Sequence, residues 1–191
     1  MPGGKHSDNQ PVLIDMTGSR ESAFNALVDG YSKDLYRYAY WLCKERARAE
    51  DLVQETYARA WKSLKSLREP GAAKSWLFTI LRREHARAFE RIRPDIADVE
   101  PETLADRGGG DTSTEAFALR RAMDALAEEY REPLVMQVIG GFSCDEIADH
   151  MELSRGAVMT RLFRARQRLR AMLEADVEDF SREGPDSGVR Q

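Results

Sequence analysis

The sequence predicts an all-α protein of two small helical domains joined by a flexible acidic linker, with a helix-turn-helix in the second domain. Apolar residues recur at steps of three and four along most of the chain, the period of an amphipathic helix, whereas alternating strand patterns are scarce. The stretch 94–112 lacks this period and contains two prolines, three consecutive glycines and six acidic residues against one arginine, a composition typical of a linker. The predicted order is a disordered tail over 1–20, a first domain over 21–93, the linker, a second domain over 113–175 and a disordered tail over 176–191.

The charge of the chain is unevenly distributed. The formal net charge is −4, yet residues 24–93 carry fifteen Lys and Arg against nine Asp and Glu, and the acidic excess lies in the linker and near the C-terminus. A basic folded segment suits a phosphate-bearing partner. No apolar run approaches the roughly 18 residues that span a membrane, and Cys43 and Cys144 lack metal-ligand spacing. We therefore expect a cytoplasmic protein with reduced thiols, no membrane insertion and no cofactor.

Three helices are predicted in the first domain. An apolar stripe of helical period predicts a helix over 22–44, and a second stripe predicts a helix that begins near Arg48. A Pro-Gly break at 70–71 precedes a third helix over 74–92, whose outer surface is rich in arginine. The exposed face of the second helix is predicted to carry Asp51, Gln54, Glu55 and Arg59.

The second domain contains the pattern of a helix-turn-helix. Ser143 and Glu146 form a capping box at the start of one helix, and Ser154 caps the next. That next helix places its apolar residues on one stripe, formed by Val158, Leu162, Ala165, Leu169 and Met172. Between Arg155 and Leu173 the sequence has six arginines and no acidic residue. A solvated surface helix normally interleaves acidic residues to form i,i+4 pairs, so this pattern favours a helix that enters the major groove of DNA.

The face opposite the apolar stripe predicts the DNA contacts. At 100° per residue, that face carries Gly156, Thr160, Phe163, Arg164 and Gln167. An exposed Phe163 suits van der Waals contact with a thymine methyl group, and Arg164 suits bidentate hydrogen bonding to guanine. Arg155 and Arg161 flank the face and suit phosphate groups, which position a protein on DNA without specifying the sequence.

Five runs of residues follow one another in a recognisable order over about 150 residues. They are Ala-Glu-Asp-Leu-Val-Gln-Glu-Thr at 49–56, Ala-Trp at 60–61, Ser-Trp-Leu-Phe-Thr-Ile-Leu-Arg at 75–82, the segment 126–146, and Gly-Ala-Val-Met-Thr-Arg-Leu-Phe-Arg-Ala-Arg at 156–166. In this order and spacing the chain resembles the sigma-70 family of bacterial RNA polymerase sigma factors, in its short extracytoplasmic-function group.

The resemblance implies an alternative sigma factor, which has no active site. The first domain would bind the beta-prime clamp of core RNA polymerase, recognise the −10 promoter element and melt it. The second domain would recognise the −35 element and meet the beta flap, and the linker would run near the path of nascent RNA. An anti-sigma factor is a further implied partner, and the regulon would answer stress or an environmental signal.

Three sets of candidate site residues follow from the resemblance. The polymerase-binding set is Asp51, Gln54, Glu55 and Arg59; the −10 set is Arg68, Lys74, Arg82, Arg83, Arg87 and Arg91; the −35 set is Arg155, Thr160, Arg161, Phe163, Arg164 and Gln167. The loop 66–74, where the family captures a −10 base, departs from the usual aromatic-Arg-Gly-acid pattern, because Leu67 precedes Arg68 and Pro70 follows Glu69. In the helix-turn-helix, Met159 stands where many members carry a basic residue.

Two other functions compete with this interpretation. A helix-turn-helix repressor or activator would place a sensor domain first, but such a domain is not expected to pair the helix 49–62 with the basic helix 74–92. An enzyme is disfavoured, because the three histidines are scattered and the sequence contains neither an H-E-x-x-H motif nor a Gly-rich phosphate loop.

Overall fold

The computed structural model describes residues 19–92 and 113–182, without the side chains of 89–92 and 176–182. Within these ranges it contains seven α-helices, two short 3₁₀ turns and no strand. The helices are α1 (Arg20–Cys43), α2 (Arg46–Ser63), α3 (Ala73–Ile92), α4 (Thr114–Ala125), α5 (Glu128–Val138), α6 (Cys144–Met151) and α7 (Arg155–Arg182).

The prediction of an all-α fold with two helical domains is confirmed. Helices α1–α3 form the N-terminal domain, and α4–α7 form the C-terminal domain. The linker predicted over 94–112 lies outside the described residues. Helix α7 continues to Arg182, into the range predicted as a disordered tail.

The N-terminal domain packs the apolar faces of its three helices into one core. Ser19 begins α1 by accepting a hydrogen bond from the backbone N–H of Ser22 at 3.1 Å. The helix ends at Lys44, which has a left-handed φ of 56° and donates its N–H to the carbonyl of Tyr40, turning the chain into α2. The buried residues include Leu27, Leu35, Leu52, Ala60, Leu77 and Leu81. This packing leaves the polar sides of α2 and α3 on the surface.

The C-terminal domain packs α4, α5 and α6 against α7. Ile147 of α6 and Val158 of α7 are fully buried, and Leu162 is almost so. The turn between α6 and α7 passes through Glu152, whose φ is 55°. A left-handed residue at this point ends α6 and lets α7 cross it, the arrangement of a helix-turn-helix.

Gly140 determines the path of the chain between α5 and α6. A Cβ at this position would lie 2.5 Å from the carbonyl oxygen of Met136 and 2.5 Å from the ring of Phe142. Real Cβ atoms do not approach other atoms so closely, so the position requires glycine. The absence of a side chain lets the Phe142 ring fold back into the core, where it is 5% exposed.

The two domains are in contact, which the sequence did not predict. The carboxylate of Glu132 on α5 accepts hydrogen bonds from the hydroxyl of Tyr38 on α1 and from Nε of Arg82 on α3, both at 2.9 Å. Burial and the Glu132 charge raise the pKa of Tyr38 well above its usual value, so its hydroxyl remains a donor. Beside this network, the rings of Phe78 and Phe142 meet edge to face at 5.0 Å.

Further polar contacts surround this centre. Nε of Arg131 donates to the carbonyl of Trp41 at 3.1 Å. The ring nitrogens of His150 on α6 lie 3.1 Å from the hydroxyls of Ser75 and Thr79 on α3. Burial lowers the pKa of His150, which favours the neutral ring at this position. The domain contact therefore joins α3 directly to the first helix of the helix-turn-helix.

The Tyr38→Phe variant tests the central hydrogen bond, because it removes the hydroxyl and keeps the ring that stacks on Phe78 at 4.9 Å. We expect the free energy of unfolding to fall by about 1.5–3 kcal/mol, since the acceptor is charged. Urea titration followed by tryptophan fluorescence measures this change. Tyr36→Phe, at a half-buried tyrosine of the same helix, is the matched control. Equal losses in the two variants would contradict a specific role for the Tyr38 hydroxyl.

Candidate nucleic-acid and polymerase interfaces

The helix-turn-helix is fixed by the caps that the sequence predicts. Ser143 Oγ accepts from the backbone N–H of Glu146 at 3.3 Å, and the Glu146 carboxylate accepts from the backbone N–H of Ser143 at 2.8 Å. This reciprocal pair is the capping box of α6. The hydrogen bonds from Ser143 lower the pKa of Glu146. Ser154 starts α7 by accepting from the N–H of Ala157 at 3.2 Å, so both helix starts agree with the prediction.

The orientation of α7 also agrees with the predicted stripe. Val158, Leu162 and Ala165 are buried against the domain, and the later members Leu169 and Met172 are half-buried. The residues of the opposite face, Gly156, Thr160, Phe163, Arg164 and Gln167, are exposed. Phe163 is 62% exposed. The structure therefore brings four of the six predicted −35 residues onto one outward face.

The other two predicted −35 residues lie at the edges of that face. Arg155 is exposed, and its Nε lies 3.3 Å from a carboxylate oxygen of Asp145 at the start of α6. Arg161 is half-buried. Both edge positions suit phosphate contacts, since an exposed pair such as Arg155–Asp145 contributes little and can exchange its partner.

Two further arginines of α7 are held by their own domain. The guanidinium of Arg166 donates to the side-chain oxygen of Gln137, and that of Arg168 lies 4.2 Å from the ring centre of Tyr130. These contacts point the two side chains towards α5. The run of six arginines in the sequence therefore overstates the number available to DNA.

The basic surface of α3 is more heavily paired than the sequence suggests. Arg82 binds Glu132 of the other domain, Arg87 binds Glu84, and Lys74 lies 3.3 Å from Asp34. Glu84, on the same helix, is only 8% exposed, because side chains of α2 and α3, including Arg59 and Arg87, cover it. Arg68 and Arg83 are exposed, and the side chain of Arg91 lies outside the described residues.

Arg82 and Arg83 border a polar cleft between the domains. Its lining also includes Ser75, Thr79, Glu146, Asp149 and His150. This cleft is not predictable from the sequence, because its residues come from helices separated by the linker. Glu132 and His150 were missed for the same reason. Their partners lie fifty or more residues away along the chain.

The predicted polymerase-binding residues Asp51, Gln54, Glu55 and Arg59 are all exposed on α2. Nε of Arg59 lies 3.1 Å from Glu55 and 3.5 Å from Glu84, so this face carries a small charged network. Beside it is a groove of about 330 Å³. Its lining includes Leu42, Cys43, Asp51, Leu52, Glu55 and Ala88.

Cys43 offers little reactivity in this groove. Burial raises its pKa to about 11, so the thiol remains protonated near neutral pH. Both cysteines are free thiols. No cluster of three or more His, Cys, Asp or Glu in the described residues could hold a metal ion. None of the described helices is long and apolar enough to cross a membrane.

Comparison with known proteins gives two family matches and close relatives. Residues 27–93 match the family described as Sigma-70 region 2, and residues 116–169 match Sigma-70 region 4. The chain is 34% identical over 160 residues to the ECF RNA polymerase sigma factor EcfG of Rhodopseudomonas palustris, covering 82% of this chain and 87% of the relative. It is 31% identical over 155 residues to the ECF sigma factor SigL of Mycobacterium tuberculosis, covering 78% and 88%.

A solved structure has the same fold. The sigma factor RpoE of Bartonella quintana, crystallised in complex with the anti-sigma factor NepR, matches with a TM-score of 0.69 and 30% sequence identity. The match covers 80% of this chain and 98% of that chain.

The pKa of Glu146 predicts a pH-dependent cap. Because its folded pKa lies below the ordinary value of 4.5, its carboxylate stabilises the fold above about pH 4.5, and this contribution is lost as the pH falls through the folded pKa. Glu146→Gln should therefore lower the free energy of unfolding at pH 6, by at most about 1 kcal/mol at this exposed site. The difference from the original chain should shrink towards pH 3.5. Urea titrations at both pH values measure it, with Glu129→Gln as a control outside the cap. A difference that grows on acidification would contradict this assignment.

Proposed function

The chain belongs to the extracytoplasmic-function group of the sigma-70 family, and on this basis we propose that it directs core RNA polymerase to promoters with −35 and −10 elements. Sigma factors are transcription initiation factors rather than enzymes. In this proposal the chain also melts the −10 region and serves a stress or environmental regulon in the cytoplasm. The proposal rests on one observation. A single chain exposes both a basic recognition helix and, in a separate domain, an acid-edged helix beside an apolar groove.

The polymerase contact is proposed at the outer face of α2. Asp51 and Glu55 are one turn apart, both are exposed, and both line the groove that continues towards Leu42 and Leu52. A charged rim beside an apolar recess is the usual make-up of a protein interface. The beta-prime clamp is the proposed occupant, and Gln54 and Arg59 extend the contact. The beta flap would meet the C-terminal domain.

The −10 contact is proposed along α3 and the loop before it. Arg68 and Arg83 are exposed and can reach phosphates without breaking a described ion pair. Lys74 can exchange the partly exposed carboxylate of Asp34 for a phosphate. Arg87 can turn to a phosphate while the buried carboxylate of Glu84 keeps Arg59, whose Nε lies 3.5 Å away, and Arg91 continues the same helix. Melting further requires a site for an unstacked base. The loop 66–74 is proposed to supply it.

Arg82 reaches DNA in this proposal only after the domains separate. Elements centred near −35 and −10 are about 25 base pairs apart, on the order of 85 Å at 3.4 Å per pair. Two contacting domains of this size extend on the order of 60 Å. The nineteen residues of 94–112 can reach about 65 Å when fully extended. Opening therefore satisfies the spacing and exchanges Glu132 for a phosphate as the partner of Arg82.

An anti-sigma factor is proposed as the regulator. The solved relative of Bartonella quintana is bound to one. A partner that binds the chain with its domains in contact would hold Arg82 on Glu132 and stabilise the closed arrangement by mass action.

Transcription by core polymerase with this chain on a genomic library tests the proposal. We expect defined start sites, and we expect the chain to bind promoter DNA poorly by itself. The triple variant Asp51→Ala, Gln54→Ala, Glu55→Ala should co-purify more weakly with core and retain its circular dichroism, because exposed positions usually change stability by about 0.5 kcal/mol or less. Glu21→Ala, an exposed acid at the start of α1, is the control.

Two outcomes would contradict these proposals. A chain that does not co-purify with core polymerase and gives a specific footprint alone would be a repressor or activator. Unchanged core affinity in the triple variant would remove the assignment of the α2 face.

Arg164 and Arg161 separate base recognition from positioning. Arg164 is exposed and makes no hydrogen bond or ion pair with the described residues, so Arg164→Ala should relax the preference at one −35 base pair, at a cost of about 1–3 kcal/mol there. Arg161→Ala should weaken all promoters alike and flatten their salt dependence. Binding of holoenzyme to single-base −35 variants measures both. If Arg164→Ala weakens every sequence equally, Arg164 does not read a base.

A further inference from the structure

Two large apolar side chains stand on the outer surface of the recognition helix. Met159 is 52% exposed and Phe163 is 62% exposed. They are four residues apart in α7, so they share one face of the helix. Neither contributes to the core, which takes Val158 and Leu162 from the adjoining face. An exposed apolar pair of this kind indicates a contact with another molecule.

Gly156 extends this apolar surface towards the start of the helix. A Cβ at this position would meet nothing within 4 Å, so no packing requirement excludes a side chain there. Glycine is nevertheless less favourable than alanine in a helix. The hydroxyl of Thr160 donates to the carbonyl of Gly156 at 2.9 Å, so its proton is already used within the helix. The helix surface at Gly156, three residues before Met159, is therefore open to close approach from outside.

The charge around this surface identifies the occupant as nucleic acid. Arginines flank it on both sides, Arg155 on one and Arg164 on the other, and the helix has no acidic residue before Glu174. A polyanion is the complementary partner. Met159 and Phe163 lie within the first nine residues of α7, the part of a recognition helix that reaches base edges.

The chemistry of the major groove then selects the group that the pair contacts. The C5-methyl group of thymine is the apolar group on the base-pair edges of the major groove. Side chains four residues apart on a helix are separated by about 6 Å along its axis, and successive base pairs are separated by about 3.4 Å. The pair can therefore meet two methyl groups one or two base steps apart.

We propose that Met159 and Phe163 jointly read the methyl groups of two nearby thymines in the −35 element. Met159 is a specificity-determining residue in this proposal, and the absence of a side chain at Gly156 lets the base edge approach beside it. The inference rests on the proposed function. It predicts a −35 element that carries, on either strand, two thymines within two base steps of each other.

Replacement of thymine by uracil tests this directly, because it removes the methyl group and keeps every hydrogen-bonding atom. The −35 element is first located from start sites on the genomic library. Holoenzyme binding is then measured on promoters with uracil at one −35 thymine at a time. We expect about fourfold weaker binding at each of two positions, as for the loss of one buried apolar carbon.

Variants connect those positions to the two side chains. Met159→Ala should bind thymine and uracil equally at one position, and Phe163→Ala should do so at the other. Met159→Leu should retain the response, because it retains an apolar contact. Val138→Ala removes an apolar side chain that is 71% exposed, outside the recognition helix, and is the control. Circular dichroism and core co-purification establish that each variant folds.

The inference and the proposed function fail in different ways. If holoenzyme initiates at defined sites but binds uracil and thymine promoters equally, methyl reading is wrong and the proposed function stands. The same conclusion follows if Met159→Ala and Phe163→Ala retain the full response, or if the −35 element lacks the thymine pair. If no defined start sites occur, the proposed function fails, and methyl reading fails with it.

Discussion

The carboxylate of Glu132 is the group on which the arrangement of the two domains depends. It is 9% exposed and accepts hydrogen bonds from Tyr38 and Arg82, both supplied by the other domain. A buried carboxylate is strongly unfavourable unless it is paired. The charge is therefore satisfied either by contact between the domains or by water after they separate. When the domains separate, water hydrates the Glu132 carboxylate, so no unpaired charge is left in an apolar environment. The polar character of this interface resembles that of transient interfaces rather than that of a domain core.

This chemistry relates the closed arrangement to the proposed function. Arg82 has one guanidinium, which can bind the carboxylate of Glu132 or a phosphate of DNA, and the two acceptors have similar geometry and charge. In the proposed function, opening therefore replaces one ionic partner of Arg82 by another. The edge-to-face contact of Phe78 with Phe142 is lost on opening without a new partner for either ring. This contact therefore favours the closed arrangement, in which the two domains touch. The balance between closed and extended chains is then decided by whichever partner binds one of them better.

Local features of this fold were predictable from sequence, because each depends on residues close together in the chain. The capping box of Ser143 and Glu146, the inward stripe of α7 and the exposure of Phe163 follow from helical periodicity and short-range hydrogen bonds. Periodicity shows which side of a helix is covered but does not identify the covering surface. For this reason the burial of Glu84 and the partner of Arg82 were not predictable. The resemblance to a family supplied the assignments of function, which composition and spacing left open between several classes of DNA-binding protein.

Gly140 has a consequence that extends beyond its own turn. The Phe142 ring, for which this glycine leaves room, packs against Phe78 of the other domain and lies 4.8 Å from the ring of His150 in α6. Any larger residue at 140 must displace that ring, and with it the apolar part of the domain contact. If opening of the domain contact is needed for the proposed function, a natural variant at this position would change the resting activity of the protein rather than its choice of promoter. In the proposed function, its phenotype would resemble that of a regulatory mutant, although the residue lies in a turn outside the proposed DNA-binding faces.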